Sequence, residues 1–233
     1  FYEEYPMYQY TMQERLVNFM YGVYGLMSGA LTVTALTAYS VSRIPNIAET
    51  LFGNPVLITV LLIAQVALVF IMGLAIYRLT FPMLLAMFFV YATSLGVTLS
   101  SIFLIYTDAS IVQTFAVAAG MFGAMTIYGY MTGADLTRVG NAAIMILWGL
   151  IIALLVNLYF QSPMVDLVIS AAAVVVFTLL TAYDTQKIKQ LGQHMFADGE
   201  MMGKVAVMGA LTLYLDFINL FLYLLRFMGK RRE

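Results

Sequence analysis

The chain has 233 residues, of which 63% are hydrophobic and only 10% charged, with a mean hydropathy of +0.92 and a net charge of −1. Apolar content this high excludes a soluble globule and points to a polytopic membrane protein folded as one helical bundle. With no cysteine there are no disulfides, thiolate nucleophiles or Cys-ligated metal centres, and no basic patch supports nucleic-acid binding.

Residues 1–15 form a polar and aromatic amino-terminal tail. Glu3, Glu4 and Glu14 stand where a signal peptide would be basic, so no cleavable signal is expected. The membrane domain then covers residues 16–227, and 228–233 form a basic carboxy-terminal tail. A helix needs about 20 apolar residues to cross the hydrocarbon core, which divides the apolar runs into seven spans.

The first span, Leu16 to about Val41, is rich in Gly, Ser and Thr, residues that let helix backbones approach closely in lipid. Gly53-Asn54-Pro55 ends the loop after it and opens a second span reaching about Tyr77. A short break with Arg78 and Pro82 leads into the third span, Phe81 to Tyr106. Thr107-Asp108-Ala109-Ser110 supplies N-cap residues for a fourth, Ile111 to Met131. The fifth runs from Val139 to Phe160 and the sixth from Met164 to about Asp184, after the Ser162-Pro163 break. The sixth helix is expected to continue beyond the hydrocarbon, with Lys187 and Lys189 snorkelling to water. Gly192 to Gly203 is the longest polar segment, and Lys204 to Phe227 is the seventh run. Tyr24–Gly29 resembles Tyr128–Gly133, but one lies early in its span and the other at the end, so no internal repeat follows.

Lys and Arg concentrate on the cytoplasmic side of membrane proteins. Seven crossings put Arg15, Arg78, Arg138, Lys187, Lys189 and Lys204 on the amino-terminal side and only Arg43 in the opposite loops, which predicts a cytoplasmic amino terminus. The same count sends Arg226, Lys230, Arg231 and Arg232 outside. A re-entrant seventh segment would remove that conflict, yet Ala206 to Phe227 is long enough to cross, and a full crossing is expected.

Asp184 sits at the end of the sixth apolar run and Asp216 in the middle of the seventh. A carboxylate at a membrane helix centre costs about 2.5–3.5 kcal/mol on insertion scales, so it marks function by default. Consecutive helices run in opposite directions, which allows the two to share one site. Close carboxylates titrate as a coupled unit, a proton-sensitive latch, and when ionised they offer the hard oxygens that Ca²⁺ favours. Arg78, at the inner end of the second span, is the cation expected to steady the ionised form. Alone it reads equally as an interfacial anchor, and Asp184 as a carboxylate meeting water near a helix end. Gln65, Asn157 and Asn219 are candidates to line a water-filled path, or simple interhelical hydrogen-bonding residues. His194, in the polar segment, reads as solvated.

Leu180-Thr181-Ala182-Tyr183-Asp184-Thr185-Gln186-Lys187-Ile188-Lys189 and Gly209 to Phe221, reading GALTLYLDFINLF, resemble the carboxy-terminal signature of the Bax-inhibitor-motif membrane proteins. Gly120-Met121-Phe122-Gly123-Ala124-Met125 with Tyr128-Gly129-Tyr130 resembles that family's fourth helix, especially in bacterial inner-membrane members. The resemblance implies two three-helix layers around a central carboxy-terminal helix. It also implies a pH-sensitive Ca²⁺ leak in which Asp184 and Asp216 form the proton-sensing pair and Arg78 contacts it. No organic cofactor is implied; calcium ions and protons are the expected partners, with the bilayer around them and an unidentified membrane protein as a further candidate. Gln65 stands where some members carry an acidic residue. An intramembrane aspartyl protease also uses two carboxylates, but neither its Gly-x-Gly-Asp pattern nor its Pro-Ala-Leu segment occurs here. A non-catalytic regulator of membrane quality control or cell-death machinery is the remaining alternative.

Overall fold

The computed structural model describes the backbone of residues 4–194 and 199–232 and, within them, all side chains but those of residues 4–12, 48 and 194. Among the described residues seven α-helices follow one another: α1 (Glu4–Ser42), α2 (Pro55–Leu74), α3 (Phe81–Ile105), α4 (Asp108–Met131), α5 (Thr137–Phe160), α6 (Pro163–His194) and α7 (Gly199–Met228). A π-helical segment, Ala48–Phe52, lies between α1 and α2. All seven helices are long and apolar enough to cross a membrane, which makes the chain a helical membrane bundle.

The helix starts follow the expected local chemistry. Asn54 Oδ1 accepts from the Val56 and Leu57 amides at 3.1 and 3.2 Å, with Pro55 at the first helical position of α2. Thr107 Oγ1 accepts from Ser110 N–H at 3.3 Å and caps α4. The last two helices exceed the apolar runs that announce them. At 32 and 30 residues they extend about 48 and 45 Å, more than the roughly 30 Å hydrocarbon core. The polar Gly192–Gly203 stretch is therefore largely helical, and only 195–198 lie outside the described residues. α7 is one continuous helix, without the break a re-entrant segment needs.

The chain divides into two compact units, Phe1–Leu104 with Ile188–Tyr214, and Ile105–Lys187 with Leu215–Glu233. α7 contributes to both, and two-thirds (67%) of its most apolar window is buried, against 11% for α2 and α5, whose side chains are left to lipid. In the first unit, the fully buried Tyr214 ring meets Phe88 and Tyr91 edge-on, with centroids 5.7 and 6.0 Å apart. Its hydroxyl bonds Thr34 Oγ1 of α1 at 2.6 Å, and Thr34 also reaches the Ala92 carbonyl of α3 at 2.9 Å. One phenol thereby ties α7 to two helices with every polar atom satisfied.

Thr34→Val strands the Tyr214 hydroxyl in an apolar setting and is expected to cost about 1–2 kcal/mol. Thermal unfolding in detergent checks this: Tyr214→Phe in the same background should add little further loss, because the hydroxyl it removes has already lost its partner.

Candidate functional site

The site is built on five consecutive residues of α6, Ala182 to Gln186, four of which meet different parts of the second unit. Ala182 packs so closely against Gly129 of α4 that a methyl group there would collide with the Ala182 carbonyl. The Tyr183 ring covers Gly140 of α5, again where no side chain would fit. The Asp184 carboxyl is hydrogen-bonded to that of Asp216 on α7. Gln186 spans the α4–α5 turn, accepting from Leu136 N–H at 2.9 Å and donating to the Ala134 carbonyl at 2.8 Å. A helix presents successive residues about 100° apart, so one short stretch can dock to several neighbours at once.

Asp216 is buried, with 5% of its surface exposed, whereas Asp184 is half-buried. Phe217, the next residue of α7 after Asp216, packs edge-on against Phe115 and Phe122 of α4 at 5.3 and 5.5 Å. Asp216 Oδ2 and the hydroxyl of the fully buried Thr185 have no hydrogen-bond partner among the described residues. A hydrogen bond between two carboxyl groups needs a proton on one of them, since an ionised carboxylate only accepts. Removing that proton sets two negative charges side by side, a repulsion of about 4 kcal/mol at 4 Å and an effective dielectric of 20. That exceeds the 1.5–3 kcal/mol or so that a hydrogen bond to a charged group contributes. The contact is therefore favourable with a proton between the two groups and unfavourable without one.

Among the described residues Lys187, one turn further along α6 than Asp184, is a cation that bears on it, and it lies 5.7 Å from the Tyr183 ring centre. Arg78 lies in the turn after α2, in the other unit; it is exposed and makes no ion pair among the described residues. Gln65 is buried, with its amide committed to the Ser94 carbonyl at 2.9 Å and Thr98 Oγ1 at 2.7 Å, so it joins α2 to α3. Asn157 bonds both the amide and the carbonyl of Ser162 at 3.0 and 3.2 Å and closes the α5–α6 turn, where Gln161 is left-handed with φ 49°. Asn219 donates to the Leu215 carbonyl of its own helix at 2.8 Å. The side chain of His194 lies outside those described. Among the described residues no three His, Cys, Asp or Glu side chains come together, so the pair alone cannot supply the six to eight oxygens of a closed Ca²⁺ site.

Gln186 is the functional neighbour that sequence reasoning passed over. It answers for the start of α5, where Leu136 has no side-chain cap of its own. Asp135 supports the same turn, its carboxylate accepting from Thr137 N–H at 2.9 Å, and that side chain and amide hold its pKa below the usual 3.8. Because the folded value is depressed, this support is complete above pH 3.8 and fades only as pH falls through the lower value. The Gln186 amide does not titrate, so these two groups give the turn no pH response near neutrality. Gln186→Ala is expected to speed amide exchange at Leu136 about tenfold, read by hydrogen–deuterium exchange. Gln186→Glu, which keeps the acceptor, should retain most of that protection.

A family model described as "Inhibitor of apoptosis-promoting Bax1" matches residues 16–233. The inner membrane protein YbhL of Escherichia coli is 44% identical over 99% of this chain and 100% of its own length. An uncharacterized protein of Borreliella burgdorferi is 46% identical over 95% of this chain and 96% of that protein. An uncharacterized membrane protein of Streptococcus pyogenes is 35% identical over 95% and 96%. A match over the whole membrane domain, with relatives alike from end to end, shows that the chain belongs to the Bax1 inhibitor family of integral membrane proteins.

Proposed function

We propose that this protein is a passive, calcium-permeable leak of the bacterial inner membrane, gated by the proton shared between Asp184 and Asp216. The observation that carries the reading is the hydrogen bond between the two carboxyl groups on successive membrane helices, one buried and one half-buried. With the proton in place, α6 and α7 are held together and the path is shut. Without it, repulsion separates them, and the freed carboxylates offer oxygens to a calcium ion that keeps much of its water. Lys187 steadies the ionised form from the water side of α6, and Arg78 adds positive charge at the end of α2.

The membrane assignment draws on the seven apolar helices and on YbhL, which is named an inner membrane protein. Basic residues on the amino-terminal side favour a cytoplasmic amino terminus. The role is non-catalytic and needs no organic cofactor. A second reading, a regulator that acts by binding another membrane protein, is favoured by the family description, which names inhibition of an apoptosis-promoting factor.

Reconstituting the full chain in liposomes with an internal calcium dye separates the readings. The leak account expects calcium entry to rise with pH by at least about tenfold, the response a repulsion of several kcal/mol can support. Asp184→Asn and Asp216→Asn should each flatten that dependence. Flux at the level of protein-free vesicles at every pH would leave the regulator, and a pH response intact in both variants would refute the gate.

A further inference from the structure

The segment after α7 does not hang free. Its backbone pairs antiparallel with the turn between α3 and α4, with Arg231 bridged to Tyr106. Thr107 N–H donates to the Lys230 carbonyl at 3.1 Å and Arg232 N–H to the Ile105 carbonyl at 2.8 Å. Side chains reinforce the pairing. Lys230 N–H donates to Ser110 Oγ at 2.9 Å, Arg232 Nε to the Tyr106 carbonyl at 3.0 Å, and Arg232 Nη2 meets Asp108 Oδ1 at 2.7 Å. The Tyr106 ring occupies the place a side chain on Gly229 would take. One turn back, Arg226 pairs with Asp166 at the start of α6 at 3.1 Å.

These contacts sit at the end of the helix that carries Asp216. Residue 226 is ten positions on, so about 15 Å of α-helix joins the two, and a helix of that length transmits an axial shift nearly undiminished. A slip of one residue moves Asp216 about 1.5 Å along the axis. An O–H···O bond tolerates only about 2.5–3.0 Å between oxygens, so that slip breaks the carboxyl contact. Ion pairs as exposed as Arg232–Asp108 are individually weak, but three backbone donors and two arginine contacts acting together fix a position.

We infer that residues 229–232 are a strap that sets the axial register of α7, with Arg232, Asp108 and Ser110 as positioning residues for the Asp184–Asp216 pair. The inference rests on the reading of that pair as one unit. It does not depend on what crosses the membrane. The strap also engages the basic segment within the chain, through the Arg232 contacts with Asp108 and the Tyr106 carbonyl.

The test is a double-mutant cycle between Asp184→Asn and Asp216→Asn on the thermal stability of the full chain, run in four backgrounds. In the unaltered chain the cycle gives the coupling of the pair. In Arg232→Asp, which sets two carboxylates against each other at residues 108 and 232, the coupling constant is expected to fall at least about threefold, and further on deletion of 229–233. The exchanged pair Asp108→Arg with Arg232→Asp should restore it. A segment that merely adds stability would lower the melting temperature in every background and leave the coupling unchanged, and that result overturns the strap. Calcium flux plays no part in this readout, so a pair that couples through the strap in a chain without flux would sink the leak and keep the strap.

Discussion

The hydrogen bond that joins the Asp184 and Asp216 carboxyl groups is the interaction on which the second unit is centred. Asp216 is buried, and its partner on α6 is half-buried. Neither group is placed cheaply in the membrane, and together they bond only while a proton remains between them. The rest of the second unit can be understood as holding these two helices at one spacing and one register. Gly129 and Gly140 let α4 and the Tyr183 ring come in without intervening side chains, and Gln186 fixes the turn that joins α4 to α5. Along α7, Tyr214 bonds α1 in the first unit, and Arg226 and the 229–232 segment secure its far end in the second.

Packing of this kind limits how α6 can respond to a change at the contact. Helices that meet through glycine and a bidentate amide have few intermediate positions, so repulsion between carboxylates is released by a discrete rearrangement or is borne in place. Lys187 bears on which of these follows. It lies on the same helix as Asp184 and moves with it, so it offsets charge without bracing α6 against α7.

The sequence made the seven spans and the aspartate pair legible for one reason: charge inside an apolar run is rare and costly. Caps were readable too, because Asn54 and Thr107 act on amides two or three residues away. Tertiary pairing was not. The segment from Gly192 to Gly203 has the composition of a loop, yet most of it is helix, since a helix leaving the membrane needs no apolar surface. Asn157, Gln65 and Asn219 look alike as polar residues in apolar runs, but one closes a turn, one joins two helices and one bonds its own backbone. Lys187 also bears on Asp184 from one turn along the same helix, and a count of charges cannot distinguish it from a snorkelling lysine. The basic residues that strained the orientation rule are also not all free, because Arg226 and Arg232 have acidic partners far away in the chain.

Infrared difference spectroscopy across a pH titration, with the full chain in lipid, observes the shared proton itself. One protonated-carboxyl stretching band should bleach in a single step as pH rises, and it should be altered or lost in Asp184→Asn and in Asp216→Asn alike, because the proton belongs to both groups. Two bands that titrate separately, each removed by only one substitution, would contradict the account.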